Sequence, residues 1–296
     1  MRDTFSHFHP VVNFAYFLAV LLFSMFFMQP VCLVIAVAAS TAYAVYLNGR
    51  KAVGFSLKYM LPMFLLAAVI NPAFNHRGIT ILTYLPNGNP LTLESIIYGL
   101  AAGIMLISVI QWFTCYNAVM TSDKFVYLFG RVIPALSLVI SMTLRFVPKF
   151  TAQLKVVRNA QRCIGRDIST GSNTQRVKNA VKILSIMVTW SLENAIETAD
   201  SMKSRGYGLP GRTAFSIYRF EKRDGVVLAA VAVCSLIVII GKVSGSINWS
   251  YYPMMTGEPL GFFAVIVYLV YAVLCFMPLF INIKEDRKWK RLKSEI

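Results

Sequence analysis

The sequence is poor in ionisable residues and lacks the residue patterns on which many enzymes depend. Only 14% of its 296 residues are charged, and its three histidines are His7, His9 and His76. None lies in a His-Glu-x-x-His sequence, which excludes that class of zinc peptidase. No Gly-x-x-x-x-Gly-Lys-Ser/Thr sequence occurs, so the chain has no Walker A phosphate loop. The sequence therefore predicts a protein that is not an enzyme and needs no cofactor and no metal ion.

Cysteine is also scarce and unpatterned. The five cysteines are far apart along the chain: Cys32, Cys115, Cys163, Cys234 and Cys275. Their spacing matches neither a metal site nor a disulfide framework. Since free cysteine is among the most buried residue types, we expect them to be small apolar packing residues.

The sequence is rich in apolar residues, which make up 57% of it. A helix needs roughly 20 mostly apolar residues to cross the hydrocarbon core of a bilayer. Six segments are candidates for such spans, of which the third contains Pro62 and Pro72: 11–28, 31–47, 59–74, 96–120, 226–241 and 260–283. The predicted fold class is all-α, a polytopic membrane protein with about six transmembrane helices. An even number of spans places both termini on the same side.

Lysine and arginine are distributed unequally between the two sides. With six spans, 27 of the 29 lie in the terminal segments and in the loops on the same side as the termini. The opposite side has only Arg77 and Lys242. Because short loops rich in Lys and Arg stay cytoplasmic, both termini are predicted to be cytoplasmic.

Residues 121–224 form a basic insert between the fourth and fifth spans, with 17 Lys and Arg residues. This divides the chain into an N-terminal membrane domain (1–120), a cytoplasmic domain (121–224) and a C-terminal membrane hairpin with a basic tail (225–296). The apolar run 133–144 is too short to cross a bilayer. We expect a long amphipathic helix from Arg145, a polar break at 169–173, and a second, nearly buried helix from about Thr174 to Gly206.

Arg205 precedes Gly206 at the predicted end of the second helix. A cation in the last turn of a helix interacts favourably with the helix dipole, which gives Arg205 a purely local role. Alternatively, an arginine at an exposed helix tip pairs with carboxylates in an acidic groove of a partner. Spacing along the sequence does not distinguish these two roles.

Several short motifs occur in a specific order along the chain. They are His9-Pro10, Tyr98-Gly99, Leu144-Arg145-Phe146-Val147-Pro148, Ala160-Gln161-Arg162 and Met202-Lys203-Ser204-Arg205-Gly206-Tyr207. With four spans, a basic two-helix insert and two closing spans, the chain resembles the transmembrane T component of energy-coupling-factor (ECF) transporters, the CbiQ/EcfT family. The likeness covers nearly the whole chain.

This resemblance implies a coupling subunit of an ATP-driven importer in a prokaryotic cell membrane. Its partners would be two ABC-type ATPase subunits, a membrane-embedded S component that binds a vitamin or metal ion, and the lipid bilayer. In this family two cytoplasmic helices each end in an Ala-Arg-Gly-like motif whose arginine enters a groove on one ATPase.

The two docking motifs fit this sequence unequally. The second falls on Ser204, Arg205 and Gly206, with serine for alanine, whereas the first falls on residues 163–165, with Ile164 in place of arginine and Gly165 kept. Arg162 or Arg166 then replaces the missing arginine, or both belong to a basic face near anionic lipid. On a continuous helix both would point about 200° away from position 164.

The alternative function is an ion channel or secondary carrier with a basic cytoplasmic regulatory domain. Such proteins usually place ionisable residues within their spans, but Glu94 and Glu258 lie at span ends, where both are expected to reach the interface. The basic tail with Trp289 directly follows the last span. This position predicts anchoring at lipid and no binding to nucleic acid.

Overall fold

The chain folds into two compact units in a computed structural model that describes residues 3–84, 89–130, 134–169, 171–209, 218–257 and 261–294. One unit, here called the apolar unit, joins Met1–Phe125 with Tyr218–Ile296. The other, the hairpin unit, is Val126–Ile217. The two membrane segments predicted from the sequence thus belong to one unit, while the basic insert provides the second.

Helices make up most of the apolar unit. They are α1 (Pro10–Phe26), α2 (Pro30–Asn48), α3 (Arg50–Phe55), α4 (Leu61–Phe74), α5 (Leu93–Val119), α6 (Ser122–Gly130, which contains the unit boundary), α9 (Lys222–Val243) and α10 (Phe262–Ser294). A 3₁₀ turn precedes α1 at Phe5–His7, and a π-helical turn joins α3 to α4 at Ser56–Met60. Proline opens α1 and α2, where its missing N–H costs no hydrogen bond.

Two small antiparallel hairpins complete this unit. Strand β1 (Ile81–Tyr84) pairs with β2 (Pro90–Thr92), and β3 (Trp249–Ser250) pairs with β4 (Thr256–Gly257). Glu94, at the start of α5, is 2% exposed and accepts hydrogen bonds from the Thr80 hydroxyl at 2.7 Å and its backbone N–H at 3.2 Å. Glu94 is the second residue of the apolar span Leu93–Val119, so it lies at the span end, and its carboxylate is bound by the loop that carries the first hairpin. Glu258 lies outside the described residues.

The membrane-spanning prediction agrees with the helix lengths. Within the described residues, five segments are long and apolar enough to cross a bilayer: Pro30–Asn48, Ala52–Phe74, Leu93–Val119, Lys222–Val243 and Phe262–Lys293. The shorter apolar helix α1 is a sixth candidate. The chain is therefore an all-α polytopic membrane protein, and its third span extends back across the π-helical turn.

The interior of the apolar unit is aromatic around α5. Trp112 is fully buried, and its ring lies 6.2 Å from that of Tyr16 and 6.4 Å from that of Phe17. Polar side chains lie next to these rings. The side-chain oxygen of Gln111 accepts hydrogen bonds from the Ser40 and Thr41 hydroxyls, both at 2.8 Å. In a bilayer such groups require internal partners, and these bonds join α2 to α5.

Tyrosines join the helices at one end of the unit. The Tyr251 hydroxyl donates to the Met28 carbonyl at 2.6 Å, and the Asn75 amide donates to the Tyr252 hydroxyl at 3.0 Å. The Tyr98 ring packs between them, 5.5 Å from Tyr251 and 5.3 Å from Tyr252. The loops assigned to the non-cytoplasmic side therefore meet at one end.

The opposite end carries the chain's first described residues and the second half of α10. The Asn282 amide donates to Asp3 at 2.6 Å, and the Tyr46 hydroxyl donates to Asp286 at 2.7 Å. Asp3 and the segment 282–286 therefore lie on the same side, as an even number of crossings requires.

The hairpin unit consists mainly of two long antiparallel helices, α7 (Pro134–Cys163) and α8 (Asn173–Ser204). The short apolar run and the amphipathic segment that begins at Arg145 are thus one helix. The apolar content of α7 changes near Arg145, but the helix continues through this residue. Helix α8 begins as expected, with the Ser172 hydroxyl accepting from the Gln175 N–H.

The prediction that α8 is nearly buried is wrong. Ile183 and Met187 are buried against α7, where they pack with Val157, Phe150 and Trp190. Six other apolar side chains follow a helical repeat and are between 49% and 66% exposed: Val177, Val181, Leu184, Val188, Leu192 and Ile196. Helix α7 covers one side of α8, and no described residue of this unit covers the second apolar face.

The cysteine prediction is correct for the three that are buried, Cys32, Cys115 and Cys275. Cys234 is half-buried, and Cys163 is exposed at the end of α7. Cys163 therefore does not serve as a packing residue, because no residue that the structure describes covers it.

The exposed Cys163 provides a test of membrane orientation. A membrane-impermeant maleimide added to intact cells is expected to label Arg77→Cys, which replaces an exposed residue. Cys163 in the same chain should react only after the cells are permeabilised. Labelling of Cys163 from outside would contradict the cytoplasmic placement of the basic insert.

Candidate functional site

The two long helices of the hairpin unit end in the same backbone motif. At the end of α7 the Gly165 N–H donates to the Arg162 carbonyl at 3.0 Å, and the Arg166 N–H donates to the Gln161 carbonyl at 2.9 Å. Gly165 has a φ of +77°, in the left-handed region. These features define a Schellman cap, in which glycine allows the chain to leave the helix without a steric penalty.

Helix α8 repeats this geometry. The Gly206 N–H donates to the Lys203 carbonyl at 2.9 Å, the Tyr207 N–H donates to the Met202 carbonyl at 3.0 Å, and Gly206 has a φ of +76°. The residue just before the glycine is Ile164 in α7 and Arg205 in α8. These two side chains therefore occupy equivalent positions on two helix tips, as the aligned motifs predict.

Both tips are exposed but differ in chemistry. Ile164 is 65% exposed, and Arg205 is also exposed. The residue after the glycine is Arg166 at the first tip and Tyr207, which is 53% exposed, at the second. Each tip thus presents one cation and one large apolar side chain in exchanged positions.

The predicted separation of about 200° between Arg166 and position 164 does not apply, because the helix ends at Cys163. Gly165 has a left-handed backbone and separates Arg166 from the helix. Arg162 does lie within the last turn of α7. Its Nε is 3.5 Å from an oxygen of Asp167, so this arginine faces a carboxylate of its own chain.

Asp167 is held in place by the polar turn between the helices. The Ser169 hydroxyl donates to it at 2.5 Å, and the Asn179 amide donates to its backbone carbonyl at 3.0 Å. The Ser169 hydroxyl and N–H, followed by Arg162, hold the pKa of this carboxyl below its usual range. Asp167 is thus ionised at neutral pH and competes with any external carboxylate for Arg162.

A cleft of about 700 Å³ separates the N-terminal half of α7 from the C-terminal half of α8. Arg145, Lys149 and Arg205 line it together with Glu197 and apolar side chains such as Met142. The Lys149 ammonium donates to the Asn194 amide oxygen and lies 5.5 Å from the centre of the Trp190 ring. Sequence reasoning missed this cleft, although the helical spacing of Arg145 and Lys149 signals a cationic face.

Comparison with known proteins places the chain in a family. The CbiQ profile, described as "Cobalt transport protein", matches residues 2–215. The chain belongs to the CbiQ family. The matched range includes α1 to α8 and both helix tips, while α9 and α10 lie beyond it.

Individual relatives carry a related name, "Energy-coupling factor transporter transmembrane protein EcfT". The chain is 28% identical over 214 residues to that of Lacticaseibacillus paracasei, covering 68% of this chain and 80% of the relative. It is 25% identical over 204 residues to that of Staphylococcus aureus, covering 64% and 76%. The Lactobacillus helveticus protein is 38% identical over 103 residues, covering 34% and 37%. The chain is therefore a CbiQ-family transmembrane component of ECF transporters.

The glycine caps can be tested separately from any partner. Gly165→Ala and Gly206→Ala place a Cβ in the left-handed region, which costs about 1–2 kcal/mol. We expect the capping amides at 165–166 and 206–207 to exchange hydrogen faster in the respective variants. Gly54→Ala is the control, because this helical glycine has no atom within 4 Å of a new Cβ. Unchanged exchange would show that the caps do not depend on glycine.

Proposed function

We propose that this chain is the coupling subunit of an ECF-type importer, which transmits ATP-driven motion of two ABC-type ATPases to a substrate-binding S component. Family membership supports the transporter assignment. The observation that carries the finer proposal is the pair of identically capped, exposed tips on one helical hairpin. Two equivalent tips suit a pair of related partners.

In this proposal Arg205 is the docking residue of the second tip. Its backbone is fixed by the Schellman cap, while its side chain stays exposed. A guanidinium can pair with a carboxylate through two parallel hydrogen bonds, which a lysine ammonium cannot do. The partner groove is therefore acidic, and the tip enters it without refolding.

At the first tip we assign the docking role to Arg166, with Ile164 beside it. Arg162 is the weaker candidate because Asp167 already provides it with a carboxylate. No ion pair of Arg166 occurs among the described residues. In this proposal Ile164 contacts an apolar part of the first groove, so the two grooves differ in chemistry.

The open apolar face of α8 is the proposed contact for the S component. Its six exposed side chains lie on one side of the helix, from Val177 to Ile196. A contiguous apolar surface of this kind usually marks an interaction site. A membrane-embedded partner is apolar enough to cover it, and the substrate, a vitamin or a metal ion, is determined by that partner.

Charge reversal at Arg205 tests the docking proposal. Arg205→Glu should abolish co-purification of the ATPases in mild detergent, since losing one partner of a desolvated charge pair costs about 2–5 kcal/mol. Arg205→Lys should bind with intermediate affinity. Lys203→Glu, the same charge change at an exposed residue two positions away, is the control. ATPase capture that survives Arg205→Glu would refute docking at this residue.

The first tip provides a second test. Arg166→Glu should weaken ATPase capture more than Arg162→Glu does, because Arg162 already faces Asp167. Capture is measured against the amount of chain inserted in the membrane. The reverse order of effects would assign the docking role to Arg162.

The rival function gives a different biochemical result. A channel or secondary carrier would purify without ATPases and transport on its own when reconstituted. The coupling proposal requires that two ABC-type ATPases and a small membrane protein co-purify with the chain.

A further inference from the structure

The N-terminal segment, residues 3–9, is tightly packed at one end of the apolar unit. Phe5 is fully buried, with its ring 5.2 Å from Tyr16, and Phe8 is 6% exposed. The Phe5 N–H donates to the Asn282 side chain at 3.0 Å, whose amide in turn donates to Asp3. The segment is thus bound to α1 and α10 by both apolar packing and hydrogen bonds.

Lys124 connects this segment to the chain just before the hairpin unit begins at residue 126. Its side chain is 7% exposed, and its ammonium donates to the carbonyls of Ser6 and of Val119, the latter at 2.8 Å. When the Asn13 amide is oriented so that its nitrogen donates to the Phe5 carbonyl, its oxygen accepts from the same ammonium at 3.2 Å. Burial lowers the pKa of Lys124, while Asp3 opposes this shift. A buried ammonium is tolerable only with such acceptors.

Asp224 connects the same segment to the chain just after the hairpin unit. It is 2% exposed and accepts from the His9 N–H at 3.2 Å and from the Glu221 N–H at 2.8 Å. The His9 ring packs against Phe220 at 5.3 Å, and the Arg223 guanidinium lies 5.4 Å from the Phe8 ring centre. Both chain connections between the units therefore contact the same segment, residues 3–9.

We propose that residues 3–9 act as a clasp that fixes both connections to the hairpin unit, with Lys124 and Asp224 as its positioning residues. The inference rests on the proposed coupling function. The clasp ties both connections to α1 and, through Asn282, to α10. Displacement of the hairpin unit is then passed to these helices and not absorbed by loose connections, because closely packed elements transmit strain.

The substitutions Lys124→Met and Asp224→Ala remove the two fastening groups. Lys222→Met is the matched control, because Lys222 is an exposed lysine two residues from Asp224. Asp224→Asn keeps one acceptor oxygen, which can serve the His9 N–H but not also the Glu221 N–H, so it should restore the behaviour only in part. None of these residues belongs to the proposed docking tips.

Hydrogen exchange of the full complex in lipid nanodiscs, with and without ATP and vanadate, measures transmission directly. In the wild type and in Lys222→Met, nucleotide should alter exchange in both units. In Lys124→Met and Asp224→Ala, the response of the hairpin unit should persist, whereas that of the apolar unit should fall about 2- to 30-fold, as for mutations in a coupling network. A purely structural role would lower thermal stability but leave the two responses in proportion.

The chain alone provides an independent measurement. Amides of residues 4–9 should exchange faster in Lys124→Met and Asp224→Ala than in Lys222→Met. Unchanged exchange there, or an apolar-unit response that persists after the clasp opens, would overturn the inference. If the wild-type chain captures no ATPase, the proposed function fails, and exchange at residues 4–9 still decides whether the clasp exists.

Discussion

A buried lysine ammonium imposes the constraint on which one end of the apolar unit depends. Lys124 is removed from water, so its charge requires acceptors from the surrounding chain. The Ser6 and Val119 carbonyls provide them, and they are in place only when the N-terminal segment and the end of α5 are packed together. One ionic side chain thus requires residues 3–9 to be ordered, and this segment in turn meets Asp224 at the start of α9.

The hairpin unit depends on two glycines, one after each of its long helices. Its two helices must end sharply and present side chains to solvent, and a left-handed glycine after each helix achieves this. The repeated cap makes Ile164 and Arg205 equivalent in position but not in chemistry. Two partners bound at these tips would therefore be held by unlike contacts, one with an apolar component and one dominated by charge.

Much of this organisation could be predicted because it depends on local properties. Residue order alone identifies the apolar runs, the basic insert and the Arg205-Gly206 ending. Spanning length and helix capping involve neighbours along the chain. Prediction failed where burial was inferred from helical periodicity. The spacing from Val177 to Ile196 identified a real apolar face, but periodicity does not reveal whether another element covers it. Likewise, a helical wheel does not apply to Arg166, because the helix has ended before Gly165.

The sequence by itself determined the membrane class, the likeness to ECF transporter components and the position of the Arg205-Gly206 helix ending. Each of these follows from composition or from residues close together in the chain. Only the tertiary structure decided that Asp3, Lys124, Asp224 and Asn282 meet at one end of the fold. These residues are separated by up to 279 positions, and what brings them together is the packing of helices, which local sequence patterns do not encode.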